Sequence, residues 1–96
     1  MVHGYFKGVR MNQIDNLIQE ILMLEGFLCG KNLIPTAKFF ESQRLILESA
    51  ATLAEKKEAL NLLAGAIKIS QFTDVYEEGE RRIKCVANLS IHLMRE

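Results

Sequence analysis

The chain has 96 residues, 49% of them hydrophobic, with 12 basic against 12 acidic side chains and a formal net charge of zero. That length and apolar content suit one domain with a single core and exclude a disordered tail. The charge balance excludes a chain-wide electrostatic footprint for nucleic acid or an anionic membrane, and no apolar run approaches a transmembrane span.

Met1 to Met11 reads as an irregular arm. Gly4 and Gly8 interrupt any helical period, while Tyr5, Phe6 and Val9 are apolar enough to dock in part on a core. Met11 is an alternative start, which would leave residues 1–10 as an upstream extension. The N-terminus lacks the long apolar run of a signal peptide. Residues 12–96 are then expected as a single helical domain.

Its organising stretch is Ile14 to Cys29, where Ile14, Leu17, Ile18, Ile21, Leu22, Leu24, Phe27 and Leu28 follow the spacing of a helix with a wide apolar stripe. Such a stripe must be covered by other helices. The spacing predicts helix 1 over 12–29, with Asn12 as N-cap, Asp15 at the positive end of the dipole and Gly30 as the residue that stops it. Gly26, inside this helix, costs about 1 kcal/mol relative to alanine, which points to a closely approaching neighbour.

Pro35 opens helix 2 at its first position, where a missing N–H does no harm. The inward series is Phe39, Phe40, Gln43, Ile46, Leu47 and Ala50; Glu41, Arg44 and Glu48 fall outside, with Glu41 in reach of Arg44. Thr52-Leu53-Ala54-Glu55 has the form of a capping box and predicts a third helix from about residue 53. The same spacing also admits one uninterrupted helix over 35–64, and both alternatives stay open. Leu60, Leu63, Ala64 and Ile67 make its stripe, Leu62 and Ala66 lie beside it, and Gly65 ends or bends the helix.

Between Ile67 and Gly79 the period changes, and a loop packed by Phe72, Val75 and Tyr76 is expected. Helix 4 follows from near Glu80 to about Met94. Ile83, Val86, Ala87, Ser90 and Met94 share a side that Leu89 and Leu93 widen, and Glu77, Glu78 and Glu80 offset Arg81, Arg82 and Lys84 at the positive end. Short connections favour antiparallel neighbours, so the fold class is all-α, a small up-and-down bundle of about four helices.

Catalysis finds little to use. The histidines are His3, in the arm, and His92, expected to be half exposed, and neither has a cysteine at metal-ligand spacing. No glycine motif suits a phosphate. No catalytic, cofactor-binding or metal-binding residue is assigned, and the chain is not expected to be an enzyme. Cys29 and Cys85 are read as reduced thiols of a cytosolic protein, buried on helix faces. The basic groups Lys56-Lys57 and Arg81, Arg82, Lys84 are interleaved with glutamates and read as solvated surface. Asn88-Leu89-Ser90 matches a glycosylation sequon but falls mid-helix and is set aside.

The acidic group carries more information. Asp74, Glu77, Glu78 and Glu80 surround Phe72 and Tyr76. Carboxylates around an exposed aromatic are what a protein partner with a basic cleft requires, since charge steers the encounter and the aromatic supplies the hot spot. These six residues are the candidate partner-binding set. The competing reading is that the aromatics close the end of the bundle while the acids solvate the loop.

The order of these features is familiar. Gly26-Phe27-Leu28-Cys29-Gly30 closes helix 1. Ala37 and Arg44-Leu45 lie on helix 2, and Ala59-Leu60-Asn61-Leu62-Leu63-Ala64-Gly65-Ala66 leads towards Ser70-Gln71-Phe72-Thr73-Asp74-Val75. Over about residues 14–76 this resembles the small all-helical immunity proteins found beside polymorphic bacterial toxins, including those of contact-dependent growth inhibition systems. Where that family has a further glycine or two, this chain has Ile67-Lys68-Ile69. The resemblance implies a cytoplasmic, stoichiometric inhibitor. It would bind the C-terminal toxin domain of a large secreted effector, often a nuclease, and block its active site without a cofactor, a membrane or direct contact with nucleic acid. Many nuclease inhibitors are strongly acidic, whereas this chain is neutral overall. Two other classes are carried beside it: a helical adaptor or secretion chaperone that dimerises through the stripe of helix 1 or helix 4, and a small DNA-binding regulator using Arg81, Arg82 and Lys84.

Overall fold

In the computed structural model the described backbone comprises residues 2–49, 51–72 and 74–95, and the described side chains are those of residues 13–49, 51–69 and 74–95. The helices are α1 (Val2–Gly30), α2 (Ile34–Glu48), α3 (Leu53–Ala64), α4 (Ile67–Phe72) and α5 (Tyr76–Met94). The described residues contain no strand. Each of the four long helices packs on two others in the closed order α1–α2–α3–α5–α1, and the short α4 lies on α5. This is the small all-α bundle that the short connections predict.

The periodicity of α1 becomes its buried line. Leu17, Ile21, Leu24 and Leu28 are fully buried, with Ile18 and Phe27 packed beside them. The line is narrower than expected, because Ile14 and Leu22 remain 43% and 38% exposed. Its cover comes from α2 and α5 of the same chain. The α5 line of Ile83, Val86, Ala87 and Ser90 is equally buried within the chain. Met94, placed on that line by its spacing, is 41% exposed.

Both ends of α1 differ from expectation. The backbone is helical from Val2, so residues 2–11 are not an irregular arm and Asn12 is not an N-cap; Met1 lies outside the described residues. Glycine costs a helix about 1 kcal/mol, which slows propagation without stopping a helix already nucleated downstream. At the other end Gly30 is still helical, and the residue that turns the chain is Asn32, at φ 62°. The Leu33 N–H donates to Leu28 O at 2.8 Å and the Asn32 N–H to Cys29 O at 3.0 Å. This pair of bonds is the Schellman arrangement, in which asparagine is the usual substitute for glycine. Leu33, next in line, packs against the core.

In α2, Pro35 is the second residue, and Ala37, Phe40, Gln43 and Leu47 are buried, with Phe39 and Ile46 partly so. Ala50, of the expected inward series, lies outside the described residues. Phe39 meets Phe40 edge to face, with centroids 5.1 Å apart. Gln43 Oε1 is buried without a hydrogen-bond partner among the described residues. Arg44 is not on the outer side paired with Glu41. Its Nε donates to Glu25 Oε2 of α1 at 2.6 Å, its Nη2 to Glu25 Oε1 at 3.2 Å and its Nη1 to Glu48 at 2.8 Å. The hydrogen bonds it donates to Glu25 push the Arg44 pKa above its ordinary value. The reason for the shift of partner is tertiary: α2 lies against α1, and the arginine reaches the neighbouring helix.

α2 ends at Glu48 and α3 begins at Leu53, so the two are separate helices. The capping box is complete. The Glu55 N–H donates to Thr52 Oγ1 at 3.2 Å, and Glu55 Oε1 accepts from the Thr52 N–H at 3.1 Å and from its hydroxyl at 3.0 Å. The Thr52 N–H, followed by the hydroxyl, holds the Glu55 carboxyl below the ordinary carboxylate range. A depressed folded pKa adds stability that is fully present above the unfolded value and disappears as pH falls through the folded one. Glu55→Gln is therefore expected to cost stability at neutral pH and progressively less on acidification, because wild type loses the charged cap while the variant never had it. Urea midpoints of both proteins from about pH 7 down to about pH 3 check this.

Ala59, Leu63 and Ala66 are the buried residues of the α3 stripe and its exit, with Leu60 packed beside them; Leu62 is 45% exposed. Gly65 caps the helix, as its composition implies. The segment expected as a loop turns at once into α4, with Lys68 N–H bonded to Gly65 O and Ile69 N–H to Ala66 O. A run of six residues holds less than two helical turns, too short for the period to declare itself. α5 then starts at Tyr76, earlier than the expected Glu80. The buried Ser90 hydroxyl donates to Val86 O at 2.8 Å, which satisfies it within its own helix.

Both cysteines are exposed, contrary to expectation. Cys29 follows the buried Leu28, and Cys85 falls between the buried Ile83 and Val86, so each misses the inward line by one position. Partial burial of its sulfur, with the Glu20 carboxylate 3.8 Å away, pushes the Cys85 thiol up and away from reactivity.

Candidate partner-binding site

The candidate residues gather where the end of α1 meets the start of α5. Val75, 2% exposed, anchors the chain ahead of α5. The next residue, Tyr76, has φ 65°, a left-handed backbone that a bulky side chain seldom adopts. Strain of this kind costs on the order of 1–3 kcal/mol and survives where the surroundings over-determine it. Here they do. The Tyr76 ring stands edge-on to Phe27 of α1, with centroids 6.5 Å apart and planes at 86°. Lys31 Nζ lies 5.0 Å from the Tyr76 centroid and 5.8 Å from that of Phe27. The cation is thus shared by two aromatic faces, an attraction of about 0.5–1 kcal/mol at an exposed site. The Tyr76 N–H also reaches Asp74 Oδ1, at a long 3.4 Å.

Phe27 can approach α5 because Gly79 is there. A Cβ on buried Gly79 would lie 3.0 Å from Phe27 Cε2 and 3.1 Å from Val75 Cβ. Gly26 is the opposite case. It is exposed, and a Cβ there would meet nothing within 4 Å, so no neighbouring helix explains it. One substitution should therefore act with opposite signs. Gly26→Ala is expected to stabilise by about 0.5–1 kcal/mol. Gly79→Ala is expected to destabilise by about 1–3 kcal/mol, since Val75 Cβ is fixed by the backbone and the Phe27 ring must move. Paired urea titrations decide both.

Of the six sequence-derived residues, Tyr76 is 51% exposed, and Asp74 and Glu77 are exposed beside it. Glu78 is bound to Arg82 and Glu80 to Lys84, each at 3.0 Å within α5. The side chain of Phe72 lies outside the described residues. Among the described residues, the acids of this end that make no ion pair are therefore Asp74 and Glu77. Phe27 and Lys31 were not among the expected residues. Their i, i+4 spacing at a helix end was visible, but nothing in it named Tyr76 as the third member.

Among the described residues no three His, Cys, Asp or Glu side chains converge on a metal position, and no helix is long and apolar enough to cross a membrane. His92 is exposed in the last turn of α5. No family model matches the chain, and no curated protein or solved structure matches it.

Proposed function

We propose that this chain is an immunity-type protein that neutralises a bacterial toxin domain by stoichiometric binding, with the Tyr76 end of the bundle as its contact surface. The observation that carries the proposal is Tyr76 itself. A half-exposed aromatic, held in a strained backbone by Phe27 and Lys31 and flanked by Asp74 and Glu77, is pre-ordered for burial by another molecule. The resemblance over residues 14–76 supplies the class of partner. If the toxin is a nuclease, its basic substrate cleft complements the two carboxylates, and blocking it demands no chemistry from the inhibitor.

The test uses the C-terminal domain of the protein encoded by the adjacent upstream reading frame. Tyr76→Ala is expected to weaken binding by about thirtyfold, the loss of one hot-spot aromatic, with far-UV circular dichroism unchanged. Asp74→Asn with Glu77→Gln should lower the association rate and flatten its salt dependence. Unchanged affinity in both variants would remove this end from the interface, and an upstream frame that encodes no large secreted protein would remove the class.

A further inference from the structure

A second surface lies at the C-terminal end of α5, beside the middle of α1. Ile14 and Phe27 are separated by about 20 Å along α1, and Tyr76 and Met94 by about 27 Å along α5, at about 1.5 Å per residue. Around Ile14 and Met94 runs a half-open groove of about 530 Å³ between α1, α3 and the ends of α2 and α5. Its apolar lining is wholly aliphatic and unusually open to solvent: Ile14 is 43% exposed, Leu53 70% and Met94 41%. Among the described residues, every charged side chain that lines it is a cation: Lys56 and Lys57 on α3, and Arg95 just beyond α5. The acids of α3 lie elsewhere. Glu55 is turned back onto Thr52, and Glu58 does not line the groove.

We propose that this groove binds an acidic amphipathic helix of a partner protein. Such a helix carries leucines at i, i+3, i+4 and i+7 for the aliphatic floor and carboxylates on both sides of them for the cations. Three cations, two on α3 and one just beyond α5, outnumber the single carboxylate of a fatty acid and favour an occupant with several anions. Apolar surface left open on a small domain, rimmed by one sign of charge, is the form that partner grooves take.

The probe is a fluorescein-labelled synthetic peptide of about 16 residues, long enough to populate a helix, with leucines at that spacing and glutamate and alanine elsewhere. Its lysine counterpart and sodium dodecanoate serve as comparisons. By fluorescence anisotropy on the full chain, the acidic peptide is expected to bind with a Kd on the order of micromolar. Leu53→Glu, at an exposed position that leaves the core intact, and the pair Lys56→Glu with Lys57→Glu should each weaken it by about tenfold or more. Tyr76→Ala should leave it unchanged, which separates this groove from the surface of the proposed function. Equal binding of both peptides, indifference to Leu53→Glu, or binding of dodecanoate without the acidic peptide would each overturn the proposal.

Discussion

Phe40→Ala is expected to remove about 3–5 kcal/mol of stability. Phe40 is fully buried, at 0% exposure, and is the largest fully buried side chain among the described residues. Its ring holds the edge-to-face contact with Phe39 and sits among the buried residues of the core that α1, α2, α3 and α5 share. Truncation loses the transfer free energy of the ring and leaves a cavity whose walls come from separate helices and collapse poorly. A domain of this length has about 5–15 kcal/mol in total, so the variant should be marginal at room temperature. The urea midpoint gives the loss directly, and Leu62→Ala, at an exposed position of α3, should move it by less than about 0.5 kcal/mol.

Glu25→Ala is expected to cost about 1–3 kcal/mol, well above what an ordinary surface ion pair contributes. The difference lies in solvent access. The Arg44 and Glu25 side chains are 13% and 12% exposed, and two guanidinium nitrogens are engaged at 2.6 Å and 3.2 Å. Without Glu25, Arg44 keeps Glu48 but loses the partner that fixes its planar end against α1. Glu48, at 37% exposure, holds the same arginine at 2.8 Å from an exposed i, i+4 position, so Glu48→Ala should cost no more than about 0.5 kcal/mol. Replacing both members of the inner pair, Glu25→Leu with Arg44→Met, should recover most of the loss, because no stranded charge is left. Thermal melts of the three variants beside wild type measure the ranking.

What could be read in advance was what depends on spacing within one helix. The buried line of α5 from Ile83 to Ser90, the inward faces of Phe40 and Gln43, and the Thr52–Glu55 box all follow from period and cap chemistry alone. What could not be read depends on which helix lies opposite. Arg44 was legible as a surface charge until α1 offered Glu25. Gly30 and Asn32 are both residues that stop helices, and the choice between them was made by Leu33, which reaches the core only if the turn falls at Asn32. Of the expected contact residues, Tyr76, Asp74 and Glu77 were found by their crowding in the chain. Phe27 and Lys31 reach Tyr76 only through the packing of α1 on α5.

The three-residue link at Lys31 to Leu33 has a consequence for how copies of this chain behave at high concentration. Were Asn32 to relax into an ordinary helical backbone, α1 and α2 would fuse into one long rod, and two rods could exchange their halves. Pro35 stands in the way. In a fused helix its ring would collide with the carbonyl of Lys31, and it offers no N–H in return, a penalty of about 3 kcal/mol. Asparagine at the bend and proline just beyond it thus both raise the cost of a helix-for-helix exchange between neighbouring copies.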